Sequence, residues 1–367
     1  MLHAMAVTRP ATTPNQHHMV DLFAGPGGLD VAAHWLGLTV HGVEWDADAC
    51  ATRRAAGLGT EHSDVRGVGP ADFPDATILA GGPPCQTYTL AGSGVGRKAL
   101  DEVLSFVKRV AAGEDVESCV AGLDDERTGL VLQPLRWILE AEDLGIPYDA
   151  VVLEQVPAVL PVWEAYREVL EGLGYAVDCG VLKTEQFGVP QTRRRAILIA
   201  NRHHEPKLPR PTHRGYRKGI DRGDGDQALL PWNTMSDALG RPDAFVVISN
   251  YGSGGDPRAR GRRTSAEPAA TVTGKVSRNR VVTHDGIELP RFSHSEAGRL
   301  QTFPDDYPWS GSGVAQQIGN AIPPRLAAHV LAAALDLNLE DGFLDRAVSS
   351  RWRETRNGAR RQARYAG

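Results

Sequence analysis

The chain has 367 residues, of which 41% are hydrophobic and 23% are charged, and its formal net charge is −5. These values are ordinary for a soluble globular protein, and the length allows one large domain and one smaller one. No apolar run approaches a membrane span, and segment 1–18 is polar and lacks the apolar core of a signal peptide. We therefore expect a flexible leader and a cytoplasmic protein. The four cysteines form no C-x-x-C pair, which argues against a metal site and a disulfide framework.

The first half of the chain alternates short β-rich runs with helical patterns. Buried strands are predicted over 19–24, 39–44, 77–81 and 150–154, and a helix over 46–56. Two further strands, 175–182 and 195–200, are separated by a turn that contains Pro190. This order predicts an α/β fold with a doubly wound, Rossmann-like and mostly parallel sheet that carries an antiparallel edge strand.

The composition changes after residue 200. Segment 201–292 is rich in Gly, Pro, Arg and Ser, which predicts a small, loop-rich domain. Helical patterns return from 293, and 325–337 is amphipathic, so the large domain is predicted to be discontinuous over 19–200 and 293–345. The Arg-rich tail 346–367 is predicted to be flexible. Arg and Lys also cluster in 202–222 and 258–263, which favours a phosphate-contacting face.

A strand leads into a glycine turn at 21–28, where a ligand can approach the backbone closely. The G-x-G-G spacing leaves the dinucleotide fingerprint incomplete, which disfavours a dehydrogenase. Glu44 ends the second strand and can accept hydrogen bonds from a ribose, Trp45 can lie against an adenine, and Asp64 can accept from its amino group. Each acid alone could simply cap a helix. Together the three positions favour a nucleoside pocket.

Cys85 follows the fourth predicted strand within Gly-Gly-Pro-Pro-Cys-Gln. Prolines and glycines fix this loop at the sheet edge where α/β folds bind ligands. The other cysteines, Cys50, Cys119 and Cys179, are interpreted as inert. Cys85 is therefore the candidate nucleophile.

Several motifs together resemble those of the C5-cytosine-specific DNA methyltransferase family, in that family's order. They are the glycine turn, Glu44-Trp45, Gly-Pro-Pro-Cys-Gln at 82–86, Glu-Gln-Val at 154–156, Gln-Thr-Arg-Arg-Arg at 191–195, Arg-Leu-Gln-Thr-Phe-Pro at 299–304 and Gly-Asn-Ala-Ile-Pro-Pro at 319–324. The resemblance covers residues 20 to about 337, apart from the variable region. Two departures stand out. Gln155 replaces the usual Asn, and an insertion places Asp125 40 residues after Cys85.

The resemblance implies S-adenosylmethionine as methyl donor, double-stranded DNA as partner and no metal. The implied catalytic residues are Cys85 as nucleophile, Glu154 as acid at ring nitrogen 3, and Arg193 and Arg195 as braces. The implied cofactor residues are Phe23, Gly25, Gly27, Leu29, Glu44, Trp45, Asp64, Val65, Pro84, Leu130, Asn320 and Ala321. The candidate contacts to the base or the DNA are Gln86, Gln191, Arg97, Gly254, Arg258 and Arg260.

The implied reaction is methylation of cytosine carbon 5 through a covalent Cys85 adduct on a flipped-out base. A bacterial or phage-encoded monomer is expected, with a cognate restriction endonuclease as a possible second partner. Two alternatives stay open. The one within the family is a tRNA cytosine-5 methyltransferase, and the one from a different class is a catalytically silent DNA-binding protein.

Overall fold

The structure is a computed structural model that describes residues 17–84, 94–115, 129–249 and 260–354. Side chains are described in these ranges apart from 94–99. Cys85, Gln86, Gly254 and Arg258 therefore lie outside the described residues, as does the side chain of Arg97. Within the described ranges, no helix combines the length and the apolar character needed to cross a membrane.

A seven-stranded sheet has the order β3-β2-β1-β4-β5-β7-β6. Its strands are β1 His18–Leu22, β2 Thr39–Glu44, β3 Gly59–His62, β4 Ile78–Gly81, β5 Ala150–Gln155, β6 Ala176–Lys183 and β7 Arg194–Asn201. The first five strands pair in parallel, and β7 is antiparallel to both of its neighbours. The predicted doubly wound fold is confirmed. The antiparallel strand β7 lies one place inside the edge, because its apolar run is buried while β6 is only half-buried.

The helices connect these strands and return to the sheet near the C-terminus. They are α1 Gly28–Trp35, α2 Ala47–Ala56, α3 Gly94–Ala111, α4 Gln133–Asp143, α5 Leu160–Gly172, α6 Met235–Leu239, α7 His294–Leu300, α8 Val314–Asn320, α9 Pro324–Ala334 and α10 Phe343–Ser349. The chain passes from β1 outward to β2 and β3 and returns on the other side with β4 and β5. The strand order therefore reverses between β1 and β4, where such sheets open a crevice at their carboxyl ends.

Two apolar cores cover the two faces of the large sheet. Successive strand residues point to opposite faces, so Met19 belongs to one core and its neighbour Val20 to the other. Helices α1 and α9 contribute to the first core, and α3, α4 and α5 to the second. Burial on both faces explains why the central strands β4 and β5 are nearly continuous apolar runs.

Helix α3 lies within the segment that separates Cys85 from Asp125. Its residues Val103, Val107 and Val110 recur at helical spacing and are buried in the second core, where α3 packs on α5. The insertion thus adds a packed helix to one face of the sheet.

A separate four-stranded antiparallel sheet has the order β11-β10-β8-β9. Its strands are β8 Val246–Ile248, β9 Arg262–Thr264, β10 Arg280–Val282 and β11 Glu288–Leu289. Its core unites Phe245 and Val281 with Leu300 and Ile318. Helices α7 and α8 therefore pack on this small sheet, whereas α9 and α10 pack on the large one.

The tail differs from the flexible segment predicted from residue 346. Helix α10 continues to Ser349, and Trp352 is buried, with its indole N–H donating to Ala56 O at 3.0 Å. The Trp352 ring also packs edge-on against Tyr307 and His34. Trp352, together with Leu344 and Ala347 in the same core, therefore fixes the segment as far as residue 354.

Candidate active site

One cavity of about 1100 Å³ opens at the carboxyl ends of β1, β2, β4 and β5. The glycine turn and the β2 acid form one part of its wall, and Glu154, Arg193 and Arg195 form another. Residues 271, 273 and 274 of the variable region complete it. The cavity thus brings together the predicted nucleoside pocket and the predicted catalytic groups.

The glycine turn has a backbone that few side chains tolerate. Phe23, Gly25 and Gly27 have φ values of 57°, 54° and 103°. A Cβ on Gly27 would lie 2.5 Å from a Leu58 methyl, so close packing as well as φ requires glycine there. The Tyr307 hydroxyl donates to Pro26 O beneath the turn. Phe23, Gly25 and Leu29 line the cavity, while Gly27 supports the turn from behind.

Glu44 joins β2 to the turn. Its Oε2 accepts from Gly25 N at 2.7 Å, and its Oε1 accepts from Asp46 N at 2.6 Å. Helix α2 is capped by Asp46, which accepts from Ala49 N at 2.8 Å, so Glu44 is not the helix cap. Burial raises the pKa of Glu44, and the two backbone N–H donors counteract that shift.

Trp45 and Asp64 lie at the cavity rim. Trp45 is 71% exposed, which is unusual for so large an apolar ring and leaves its face open to a ligand. Asp64 caps a short 3-10 helix, and both of its oxygens bind Arg66. This ion pair lowers the pKa of Asp64. Asp64 is therefore a helix cap, the simpler of the two interpretations given to it from the sequence, and it also lines the cavity.

The remaining predicted cofactor residues also reach the cavity. Val65, Pro84, Leu130 and Ala321 contribute apolar wall, and Asn320 contributes a side-chain amide. The Asn320 Oδ1 accepts from the amide of Gln316 at 2.7 Å, which orients it.

Glu154, at the end of β5, is the acidic residue in the part of the cavity wall that also contains Arg193 and Arg195. It is 6% exposed, and its Oε1 lies 2.5 Å from Arg195 Nε. The contact is electrostatic, because Oε1 makes no directed hydrogen bond within the described ranges. A Cβ on Gly82 would lie 3.5 Å from Glu154 Oε2, so the backbone three residues before Cys85 passes beside this carboxylate.

Arg193 is buried and faces the same cavity. Its Nη1 donates to Val272 O and Gly319 O at 3.0 Å each, while its Nε and Nη2 have no hydrogen-bond partner among the described residues. Burial, and then repulsion by Arg195, lower the pKa of Arg193 to about 9, against the attraction of Glu154. Glu154 thus pairs with Arg195, and Arg193 keeps two donors for a ligand.

Gln155 occupies the position where the family resemblance leads us to expect Asn. Its amide donates to Pro83 O, and its Oε1 accepts from Val156 N at 2.5 Å. The longer side chain therefore still holds the backbone that leads into Cys85.

Gln191 is fully buried and does not line the cavity, although it was predicted to contact substrate. Its Oε1 accepts from Val272 N at 3.0 Å, and its amide donates to Leu300 O at 3.0 Å and to Gln301 Oε1 at 2.6 Å. It therefore joins the variable region to the segment that holds Arg193 and Arg195. None of these three partners could be inferred from sequence spacing.

The predicted basic face is only partly available. Arg214 is buried and donates to four backbone carbonyls of its own loop, Arg202 pairs with Glu142, and Arg222 pairs with Asp237. These side chains shape loops, so they are not free for phosphates in this structure. Arg260 is half-buried at the start of the segment that leads to β9.

The two described cysteines are not reactive candidates. Burial raises the pKa of Cys50 to about 11, and burial also raises the pKa of Cys179. Both are therefore thiols at neutral pH, in agreement with their predicted inertness.

Sequence reasoning missed three contributors to the site: Tyr307 beneath the turn, Asp21 on its floor, and the wall segment Thr271–Gly274. Asp21 carries a signal, because it is an acid at the end of a strand that is otherwise buried and apolar. The other two come from distant segments.

The sheet order is that of a doubly wound α/β protein, and its cavity places the predicted nucleoside pocket beside a carboxylate and two arginines. The sequence profile of the C-5 cytosine-specific DNA methylases matches residues 17–221 and 243–335. The chain belongs to this family.

Curated relatives are Type II methyltransferases. M1.HphI of Haemophilus parahaemolyticus is 27% identical over 88% of this chain and 87% of its own length. M.NgoFVII of Neisseria gonorrhoeae is 25% identical over 86% and 85%.

Solved structures share the fold. A putative DNA modification methyltransferase encoded within an Escherichia coli prophage matches with a TM-score of 0.56 and 18% identity, covering 88% of this chain and 99% of that one. The Dnmt2 methyltransferase of Schizosaccharomyces pombe matches with a TM-score of 0.56 and 16% identity, covering 87% and 98%.

Proposed function

We propose that this protein transfers a methyl group from S-adenosylmethionine to carbon 5 of cytosine in double-stranded DNA. The observation that carries the proposal is the single cavity, which joins the Glu44 pocket to the Glu154, Arg193 and Arg195 centre. A methyl donor and a base can therefore meet inside one open cleft. Membership of the family supports the same reaction.

The pocket fits the donor. Positive-φ backbone at Gly25 leaves room for a ligand, Glu44 offers carboxylate oxygens to a ribose, and Trp45 offers an exposed ring face to an adenine. Asp64 can accept a hydrogen bond from the adenine amino group while it also binds Arg66. When bound, S-adenosylmethionine supplies an electrophilic methyl group, and no metal is needed in this scheme.

Cytosine carbon 5 is a weak nucleophile, so the base must first be activated. The Cys85 thiolate adds to carbon 6, and the electron pair moves toward ring nitrogen 3, which takes a proton from the Glu154 carboxylic acid and returns it to the resulting carboxylate when Cys85 is later eliminated. Arg195 holds the Glu154 carboxylate in place, and the free donors of Arg193 hold the base or a phosphate. After transfer, a base removes the carbon-5 proton and Cys85 leaves by elimination.

Carbon 5 is inaccessible inside a duplex, so we propose that the cytosine is flipped into the cavity. The variable region 201–292 would read the target, and Gln86, Arg97, Gly254, Arg258 and Arg260 stay predicted contacts. Because the reported relatives are named Type II methyltransferases, we also propose a restriction-modification role with a cognate endonuclease in a bacterial or phage-infected cytoplasm.

Covalent trapping tests the proposal. Duplex DNA with 5-fluorocytosine in many sequence contexts should form an adduct that survives denaturing electrophoresis, because fluorine blocks the elimination. The adduct should require S-adenosylmethionine and should map by mass spectrometry to the peptide containing Cys85. A Cys85→Ala variant provides the matched control and should form none.

The alternatives give different results in the same assay. Trapping on fluorinated tRNA but not on DNA would identify a tRNA methyltransferase. DNA binding without methyl transfer would identify a silent DNA-binding protein. Demonstrated methylation of carbon 5 without any adduct would overturn the covalent route.

A further inference from the structure

A buried charge cluster lies directly beneath the glycine turn. It consists of Asp21 on β1, Asp30 on α1 and Arg53 on α2, each at most 1% exposed. Arg53 Nη2 lies 2.6 Å from Asp30 Oδ1, and its Nη1 lies 2.9 Å from Oδ2. A Cβ on Gly42 would lie 2.0 Å from Arg53 Nη2, so β2 lacks a side chain where the guanidinium passes.

Asp21 is the unusual member of this cluster. No N–H or O–H group of the described residues donates to either of its oxygens, although its carboxyl lies within hydrogen-bonding reach of that of Asp30. Asp21 also lines the cavity. Two carboxyls can share a hydrogen bond only if one is protonated. Burial, and then repulsion by Asp30, raise the pKa of Asp21 well above its usual range, against the attraction of Arg53.

The charge balance of the cluster explains why a proton belongs there. Two carboxylates and one guanidinium would leave a net charge of about −1 among buried side chains, which is costly. A single shared proton neutralises the cluster. A cation held in the adjacent cavity would neutralise it equally well and would compete with that proton.

We propose that the Asp21, Asp30 and Arg53 cluster distinguishes the charged methyl donor from its uncharged thioether product by releasing a proton to solvent when the sulfonium binds. This inference rests on the proposed function. After methyl transfer the sulfonium becomes a neutral thioether, and the cluster takes a proton back from solvent. Donor binding is thereby favoured over product binding more strongly as the pH rises.

Other charged groups face the cluster from the elements around it. Glu44 on β2 repels the Asp21 charge, His41 on β2 lies near Arg53 and Asp30, and Tyr307 lies near Asp30 and Arg53. Burial keeps Tyr307 neutral, because it raises the tyrosine pKa far above neutrality. Glu44 would contact the nucleoside that donor and product share, so its titration contributes equally to both ligands.

Calorimetric titration of the full chain with S-adenosylmethionine and S-adenosylhomocysteine tests this inference. Titrations at one pH in buffers of different ionisation enthalpy give the number of protons released with each ligand. The donor should release up to about one proton more than the product, and its preference over the product should rise by up to about tenfold per pH unit. Equal proton release for the two ligands would overturn the inference. Failure of the donor to bind at all would instead overturn the proposed function.

Asp21→Asn provides the matching variant. Its amide cannot titrate, so the difference in proton release between donor and product should disappear. Glu61→Gln changes an exposed acid on β3 and should retain the full difference. A persistent difference in Asp21→Asn would assign the proton to another group. The wild-type comparison of the two ligands stands even if Asp21→Asn fails to fold.

Discussion

Two features of its surroundings bear on the proposed role of Glu154 as a proton donor, namely its burial and its contact with Arg195. It is almost buried, and Arg195 balances its charge from 2.5 Å. Glu154→Gln keeps the shape but cannot deliver a proton to the ring. Single-turnover methylation should slow by about 10²–10⁴-fold while cofactor affinity is retained.

Glu185→Gln is the matched control for that variant. Glu185 is equally buried, at 6% exposure, but lies in the turn between β6 and β7 and does not line the cavity. It should leave the single-turnover rate near that of the wild type. A similar rate loss in both variants would show that burial of the carboxyl matters, and not its place in the cavity.

Trp45 offers a second test at a single residue. Its ring is 71% exposed, so a nucleoside that stacks on it should gain contact area. Trp45→Ala should weaken S-adenosylmethionine binding by about 1–2 kcal/mol in calorimetric titration, and Trp45→Phe should recover most of the loss. Unchanged affinity in Trp45→Ala would remove this residue from the pocket.

Whether the role of a single residue can be predicted from sequence depends on where its partners lie in the chain. Glu44 could be predicted because the end of a parallel strand fixes its place at the crevice. The sequence could not predict which of Arg193 and Arg195 pairs with Glu154. Arg195 lies on β7 and Arg193 just before it, and both face the cavity, where the carbonyls of Val272 and Gly319 hold Arg193.

At the scale of elements, Gln191 connects the turn before β7 with the small sheet. Its side chain contacts segments 81 and 110 residues away in sequence. Gln191→Leu removes this amide and leaves the Val272 N–H and its other partners unsatisfied. The free energy of unfolding should fall by about 1–3 kcal/mol, and the amides of 269–272 should exchange hydrogen faster, as measured by mass spectrometry.

Gln227→Leu is the control for this change. Gln227 is exposed and, among the residues that the structure describes, donates to Gly223 O and Gly225 O in its own loop. Its substitution should shift stability by no more than about 0.5 kcal/mol. Unaltered exchange over 269–272 in Gln191→Leu would show that this residue does not couple the two parts of the protein.

The elements themselves were more predictable than their connections. The strands predicted at 39–44 and 150–154 match β2 and β5 to within one residue, and β5 shows the apolar run typical of a buried parallel strand. The packed tail could not be predicted in this way. Trp352 is held by Ala56 and Tyr307, whose proximity exists only in the folded molecule.

At the scale of the whole molecule, two histidines near Arg325 connect three distant segments. His213 lies in a loop of the variable region and is buried, His329 lies on α9 with Arg325 and is half-buried, and Arg325 binds Asp345 on α10. Burial, and then repulsion by Arg325, lower the pKa of His213 to about 4 and that of His329 to about 3. Asp345 opposes the shift at both histidines, Arg222 adds to it at His213, and His213 adds to it at His329. Both histidines are therefore neutral in the folded protein at physiological pH.

This pair predicts that stability is lost as the pH falls. An unfolded histidine titrates near 6.5, so between about 6.5 and 4 the unfolded chain binds more protons than the folded chain. Stability then rises with pH across this window, by up to about 1.4 kcal/mol per pH unit for each histidine. His329→Phe removes one of these titrations and retains a ring beside Phe187. Denaturant unfolding between pH 5 and pH 7.5 should show a shallower pH dependence for His329→Phe, whereas the exposed-site variant His284→Gln should keep the wild-type slope. An identical slope in all three proteins would mean that His329 is already protonated in the folded state, and that its burial does not exclude the charge.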